Sequence, residues 1–176
     1  MRRVVGVCVV GVLLCAGCSP FGMAKRGLTE LRGATGKAVP IRDVSPSFAA
    51  SLGSIQMGTV SNSIAPVCPP GMFTLLRGAL ERQTQAVSTD LSGSRSAVID
   101  LDVSFYNPPG GALAVAGKAG LLIGRAKVKD DAGQEQGDVL IGVSSEAVRT
   151  TREEMADVFG QTLVGYLKDQ AGRGGS

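Results

Sequence analysis

Histidine is missing from all 176 residues of this chain. Without it, Ser-His-Asp and Cys-His nucleophile systems and every histidine-based metal site within the chain are excluded. Aromatic residues make up only 4% of the sequence, and no stretch interleaves them with Lys and Arg as nucleic-acid-binding surfaces do. A dominant charge sign is lacking as well, with 18 basic residues against 15 acidic ones. No nucleic-acid partner is expected. The apolar run Val4–Leu14 is eleven residues long, whereas a helix needs about twenty to cross a hydrocarbon core of roughly 30 Å.

Eleven residues is instead the length of a secretory signal core. Arg2 and Arg3 supply the positive segment before it, and Leu14-Cys15-Ala16-Gly17-Cys18-Ser19 follows it. Small residues ahead of a cysteine are what a lipoprotein signal peptidase requires, because the Cys18 thiol takes a diacylglycerol before the cut. The usual leucine three places before the cysteine is replaced by Cys15, with Leu14 one place further back. Residues 1–17 are therefore read as a signal peptide and Cys18 as the lipidated first mature residue. Ordinary cleavage near Ala16 to Ser19, releasing a soluble domain, is the competing reading. Ser19 is not the Asp associated with inner-membrane retention, so the outer membrane, periplasmic side, is the expected location.

Removing residues 1–17 leaves 159, enough for one domain with a modest core. Losing Arg2 and Arg3 leaves 16 basic residues against 15 acidic, so the body is close to neutral. Cys8 and Cys15 go with the signal, and lipid consumes Cys18. Cys68 then remains alone in the body, and an intramolecular disulfide is impossible. Cys68 has no histidine to activate it. It reads as a buried or idle thiol, with an intermolecular disulfide or a functional thiol as the alternative.

Residues 18–50 mix Gly, Pro, Ser and charge without sustained periodicity, and read as a lipidated N-terminus with a flexible tether. The folded body is expected over 51–170. Ile55–Val60 reads as a short strand. From Gly71 the period becomes helical, with Pro70 suited to the first turn: Phe73, Leu76, Leu80 and Val87 form a stripe widened by Met72, Leu75 and Ala79, ending near Ser88-Thr89. Ala97–Phe105 alternates, with Ile99, Leu101, Val103 and Phe105 on one face and Asp100, Asp102 and Ser104 on the other. Asn107–Gly111 breaks that strand. A strand over about 115–129 follows, then a turn at 130–134 with Gly133 available for positive φ, and a last strand through Val139, Ile141 and Val143. Thr150 with Glu153 and Thr151 with Glu154 form overlapping capping boxes for a final helix. Residues 171–176 read as a frayed tail. The order β-α-β-β-β-α with two amphipathic helices implies an α+β two-layer sandwich, mainly antiparallel, with both helices on one sheet face.

Few residues are candidates for chemistry. Asp100 and Asp102 share a strand face, but no third acidic residue completes a cation site. They are expected to pair with Arg125 and Lys127 across the sheet. The row Arg125, Lys127, Lys129 offers contact to anionic headgroups or lipopolysaccharide phosphates, or simple solvation. The Gly110-Gly111…Gly117…Gly120 stretch lacks the GK[ST] of a phosphate loop. No catalytic residues, no cofactor and no metal are expected. The connection 107–114 is free of charge and rich in Pro and Gly. Pro108, Pro109, Gly110, Gly111 and Leu113 are its candidate partner contacts, with a passive connector as the alternative.

The lipobox, the segments 97–105 and 117–128, the Asp131-Ala132-Gly133 turn and the Thr-capped last helix together resemble an uncharacterised family of periplasmic lipoproteins. The layout over about 51–170 is also similar to ABC-transporter auxiliary lipoproteins and the lipopolysaccharide-assembly lipoprotein. The resemblance is architectural and carries over no site residues. It implies a non-catalytic docking or assembly component that is membrane-bound through Cys18 and has an envelope protein partner. Lipid or glycolipid binding is the alternative.

Overall fold

The computed structural model describes residues 33–63, 68–88, 90–108, 120–145 and 150–174. They form an α+β two-layer sandwich: a five-stranded mixed sheet with helices packed on one face. In chain order the elements are β1 (Ala34–Arg42), α1 (Pro46–Ala50), β2 (Leu52–Asn62), α2 (Pro70–Ser88), β3 (Arg95–Asn107), β4 (Gly120–Asp130), β5 (Glu135–Ser145) and α3 (Arg152–Gly174). The strands lie in the order β1-β5-β4-β3-β2. Only the β2–β3 pair is parallel, and α2 connects its two strands; the other pairs are antiparallel.

The expected tether over 18–50 is shorter than its composition suggested. Residues 34–42 are an edge strand paired with β5, and α1 buries Phe48 and Ala49 while Val44 just before it is fully buried. The reason lies in α3, which packs directly on β1. A Cβ at Gly36 would run into Thr162 Oγ1 and stand 3.2 Å from Val158 Cγ1. Position 36 must therefore be glycine, and with only Ala34 and Ala38 beside it on that face the strand shows no apolar alternation to read. Tyr166 of α3 ties the same segment down: its hydroxyl accepts the Val44 N–H at 3.2 Å and donates to Asp43.

The helices follow their apolar stripes with one shift of centre. Met72, Leu76, Ala79, Leu80 and Val87 of α2 are buried, and Phe73 and Leu75 are only partly so. Thr151 caps α3 by accepting the Glu154 N–H at 3.1 Å. The Glu154 carboxylate does not close the box; it accepts the Ala34 N–H of β1 at 3.3 Å, which joins the helix start to the edge strand. Helix α3 continues to Gly174, so 171–174 belong to it and are no frayed tail.

Inner strand residues meet the helices as the alternation requires. Ile99, Leu101, Val103, Leu122, Ala126, Val128, Val139, Ile141 and Val143 are all buried. Phe159 of α3 lies over Gly124, where a Cβ would come within 3.0 Å of the ring. One inward expectation is overturned. A register shift between Val103 and Phe105 turns Phe105 outward, 38% exposed, and puts Tyr106 inside at 3%; an extra residue in one strand re-aims every side chain after it. The strand expected over 115–129 begins at Gly120, and 115–119 lie outside the described residues. The β4–β5 turn is built on buried Asp130, whose carboxylate accepts the N–H groups of Ala132 (3.1 Å) and Gln134 (2.8 Å), with Gly133 at φ +77°.

Candidate functional site on the free face of the sheet

With the helices on one side, the other face of the sheet meets solvent, and cross-strand partners share that face in rows. Nearest the start of β1 come Thr35, Ser144, Leu121 and Asn107, then Lys37, Gly142, Ile123 and Phe105. The third row is Val39, Leu140, Arg125, Asp102 and Ser61, and the fourth Arg42, Asp138, Lys127 and Asp100. Lys129 and Glu135 close the far end. The face is thus divided, with apolar and small polar residues near the start of β1 and charge concentrated towards the β4–β5 turn.

Asp100 stands opposite Lys127 and Asp102 opposite Arg125, so the two carboxylates do share a face with the two cations as expected. The ion pairs nevertheless form with other partners. Lys129 Nζ reaches Asp100 at 2.6 Å, and Thr59 N–H donates to the same carboxylate at 2.8 Å. The Lys129 contact first, then the Thr59 amide, holds the Asp100 carboxyl below its ordinary value. Arg125 turns away from Asp102 to Asp138 on β5, donating through Nε at 2.9 Å to both oxygens and through a second nitrogen as well. That fork lowers the Asp138 carboxyl and raises the Arg125 guanidinium. Lys127 lies 3.7 Å from Glu135, which also takes Arg42 at 2.9 Å. Asp102 is left to hydroxyls, accepting from Ser61 at 3.1 Å and from Ser63.

Asp138 is the residue that sequence reasoning missed. It is 3% exposed although it lies on the solvent face, because Arg125 covers it. The signal was present: Asp138, Leu140 and Gly142 alternate with Val139, Ile141 and Val143. Starting the last strand at Val139 leaves Asp138 off the face.

A shallow depression open to solvent lies over Asp100, Asp102, Ser61, Ser63 and the three basic residues of β4. Its cations each lie near a carboxylate, Arg125 at Asp138, Lys127 at Glu135 and Lys129 at Asp100, so a phosphate arriving there would meet negative charge beside the positive. The described residues hold no cluster of metal-ligating side chains. Chemically, this surface offers polar and charged contacts.

Of the other expected site residues, Cys68 is buried, and burial pushes its thiol up, away from the reactive thiolate. Pro108 is half-buried at the end of β3. Pro109, Gly110, Gly111 and Leu113 lie outside the described residues, as does Cys18. Beside that connection, the Tyr106 hydroxyl and the Asn107 side-chain N–H₂ are buried with no hydrogen-bond partner among the described residues.

No protein-family model matches the chain, and no curated protein sequence does. Among solved structures, two crystal forms of the PelC dodecamer from Paraburkholderia phytofirmans, one of them a point variant, are similar to it. They share 10% and 9% identity, each covers 76% of this chain and 97% of its own, and the TM-score is 0.45 for both.

Proposed function

We propose that this chain is a lipid-anchored outer-membrane protein facing the periplasm, which docks a partner protein of an envelope transport or assembly system and performs no catalysis. The observation that carries the reading is the Arg2–Cys18 leader with its small residues ahead of a cysteine. A chain without histidine, whose clustered carboxylates are tied to Arg and Lys or to hydroxyls, also fits a binding role better than acid–base work. Docking is preferred over glycolipid capture because Arg125, Lys127 and Lys129 each face a carboxylate of the same sheet. The connection through Pro108, Pro109, Gly110, Gly111 and Leu113 is the proposed contact.

The test has two parts. Fatty-acid labelling should mark the wild type and be lost in Cys18→Ser, which accumulates as precursor; labelling that persists in the variant refutes the anchor. Replacing Pro108–Leu113 with an Asn-Gly turn should leave thermal stability nearly unchanged while a discrete partner, recovered with wild type from detergent extracts, is lost. Unchanged recovery would make this segment a connector only.

A further inference from the structure

The described body starts at Gly33, and Ala34 pairs with Ser145 at one end of the sheet. Gly120 stands against the same Ser145, and Leu121 stands against both Ser144 and Asn107. The chain from the anchor therefore joins the body at the end where β3 finishes, β4 begins and β5 finishes. Cys18 precedes Gly33 by fifteen residues, which span at most about 50 Å when fully extended. A path shorter than the strands themselves, about 27 Å, would hold this end of the sheet closest to the lipid.

That same end carries the apolar part of the free face. Its first two rows hold Leu121, Ile123 and the outward-turned Phe105, one cation in Lys37, and no carboxylate. Leu140 and Val39, the latter 45% exposed, extend the patch into the third row. From Leu121 to Lys129 the strand covers about 27 Å, and over that distance the face changes from apolar to densely charged. Apolar side chains near an anchor, with a lysine and no acid among them, suit the boundary between headgroups and acyl chains. The charged rows suit water.

We infer that the end of the sheet bearing Phe105, Leu121 and Ile123 lies against the phospholipid surface in which Cys18 is anchored, with the β4–β5 turn pointing away from it. This rests on the anchor reading proposed above. The outward turn of Phe105 at the strand irregularity then has a purpose: it delivers a phenyl ring to lipid where regular alternation would have buried it.

The chain contains no tryptophan, so a single introduced one reports its own surroundings. Mature lipidated protein carrying Phe105→Trp is reconstituted into phosphatidylglycerol–phosphatidylethanolamine vesicles, with and without brominated acyl chains. Leu121→Trp serves as a second reporter in case the first variant folds poorly, and Asp131→Trp, on the exposed β4–β5 turn, is the distal control. Expected are blue-shifted emission and loss of most intensity over brominated lipid for the two proximal reporters, with the control unchanged. Equal quenching at both ends, or none at the proximal end in protein that floats with the vesicles, overturns the orientation while leaving the anchor intact. Protein that does not float overturns both. A proximal blue shift that appears without bromine quenching and grows with protein concentration assigns the patch to a second copy and overturns the inference.

Discussion

Phe48 distinguishes a tether from a folded segment. It is 3% exposed, belongs to the main core together with Val44 and Ala49, and lies beneath the Arg95 guanidinium at 4.9 Å from the ring centroid. Phe48→Ala removes a buried ring and leaves a cavity between α1 and α3, which should cost about 3–5 kcal/mol. For a domain of this size, about 2–4 °C per kcal/mol applies, so the melting temperature should fall on the order of 10 °C. Such a loss is a large share of a total stability of about 5–15 kcal/mol. Thermal and urea unfolding of wild type and variant in the same detergent, followed by far-ultraviolet circular dichroism, measures it. An exposed tether residue would change stability by no more than about 0.5 kcal/mol. A loss below about 1 kcal/mol would refute the packing of residues 44–50 against α3.

Gly36→Val should destabilise by about 1–3 kcal/mol through overpacking against Thr162 and Val158. Gly142→Val, at a sheet position where a Cβ meets nothing within 4 Å, should not destabilise, and comparison of the two urea midpoints checks the contrast. The Asp138 carboxyl is held below its ordinary 3.8 by Arg125. Its contribution is thus fully present above that value and is lost as pH falls through the lower folded-state value. Asp138→Asn should therefore be less stable than wild type at neutral pH, with the gap closing as acid protonates Asp138; a gap that does not change with pH refutes the assignment.

The sandwich was readable wherever one physical rule governed a whole segment. Strand β3 displays Ile99, Leu101 and Val103 against Asp100, Asp102 and Ser104 because one face is packed and one is wet. The stripe of α2 and the Thr151 cap of α3 are similarly local. Strand β1 was hidden because part of its constraint comes from the partner: Val158 and Thr162 leave no room for a side chain at Gly36, and a sequence of small residues with Lys37 and Pro40 looks like a linker. Phe105 was misplaced because an irregularity after Val103 has no signature in the residues themselves. That Asp100 and Asp102 share a face with Arg125 and Lys127 followed from pattern, whereas the register and the ion pairs did not. A guanidinium can reach β5 as easily as β3, and the choice of Asp138 depends on which strand lies on the other side.

The edges of the sheet bear on how a partner could approach. Strand addition needs a straight run of free backbone groups. On β1, Pro40 lacks an N–H, the register shifts between Pro40 and Arg42, and Lys37 adds charge. On β2 the pairing is irregular twice, and Arg77 of α2 donates to the Gly58 carbonyl at 3.0 Å. Both edges thus discourage strand addition, and contact falls to the free face and to the connection at its apolar end. If that end lies on lipid, a partner engaged through Pro108–Leu113 must itself sit in or on the same membrane. A soluble periplasmic partner would instead meet the charged rows about 20 Å or more further along the strands. Loss of partner recovery in the Pro108–Leu113 replacement therefore has a corollary: the lost partner should fractionate with the outer membrane. A partner that is found in the soluble periplasmic fraction, with none on the membrane, would contradict the membrane-facing orientation.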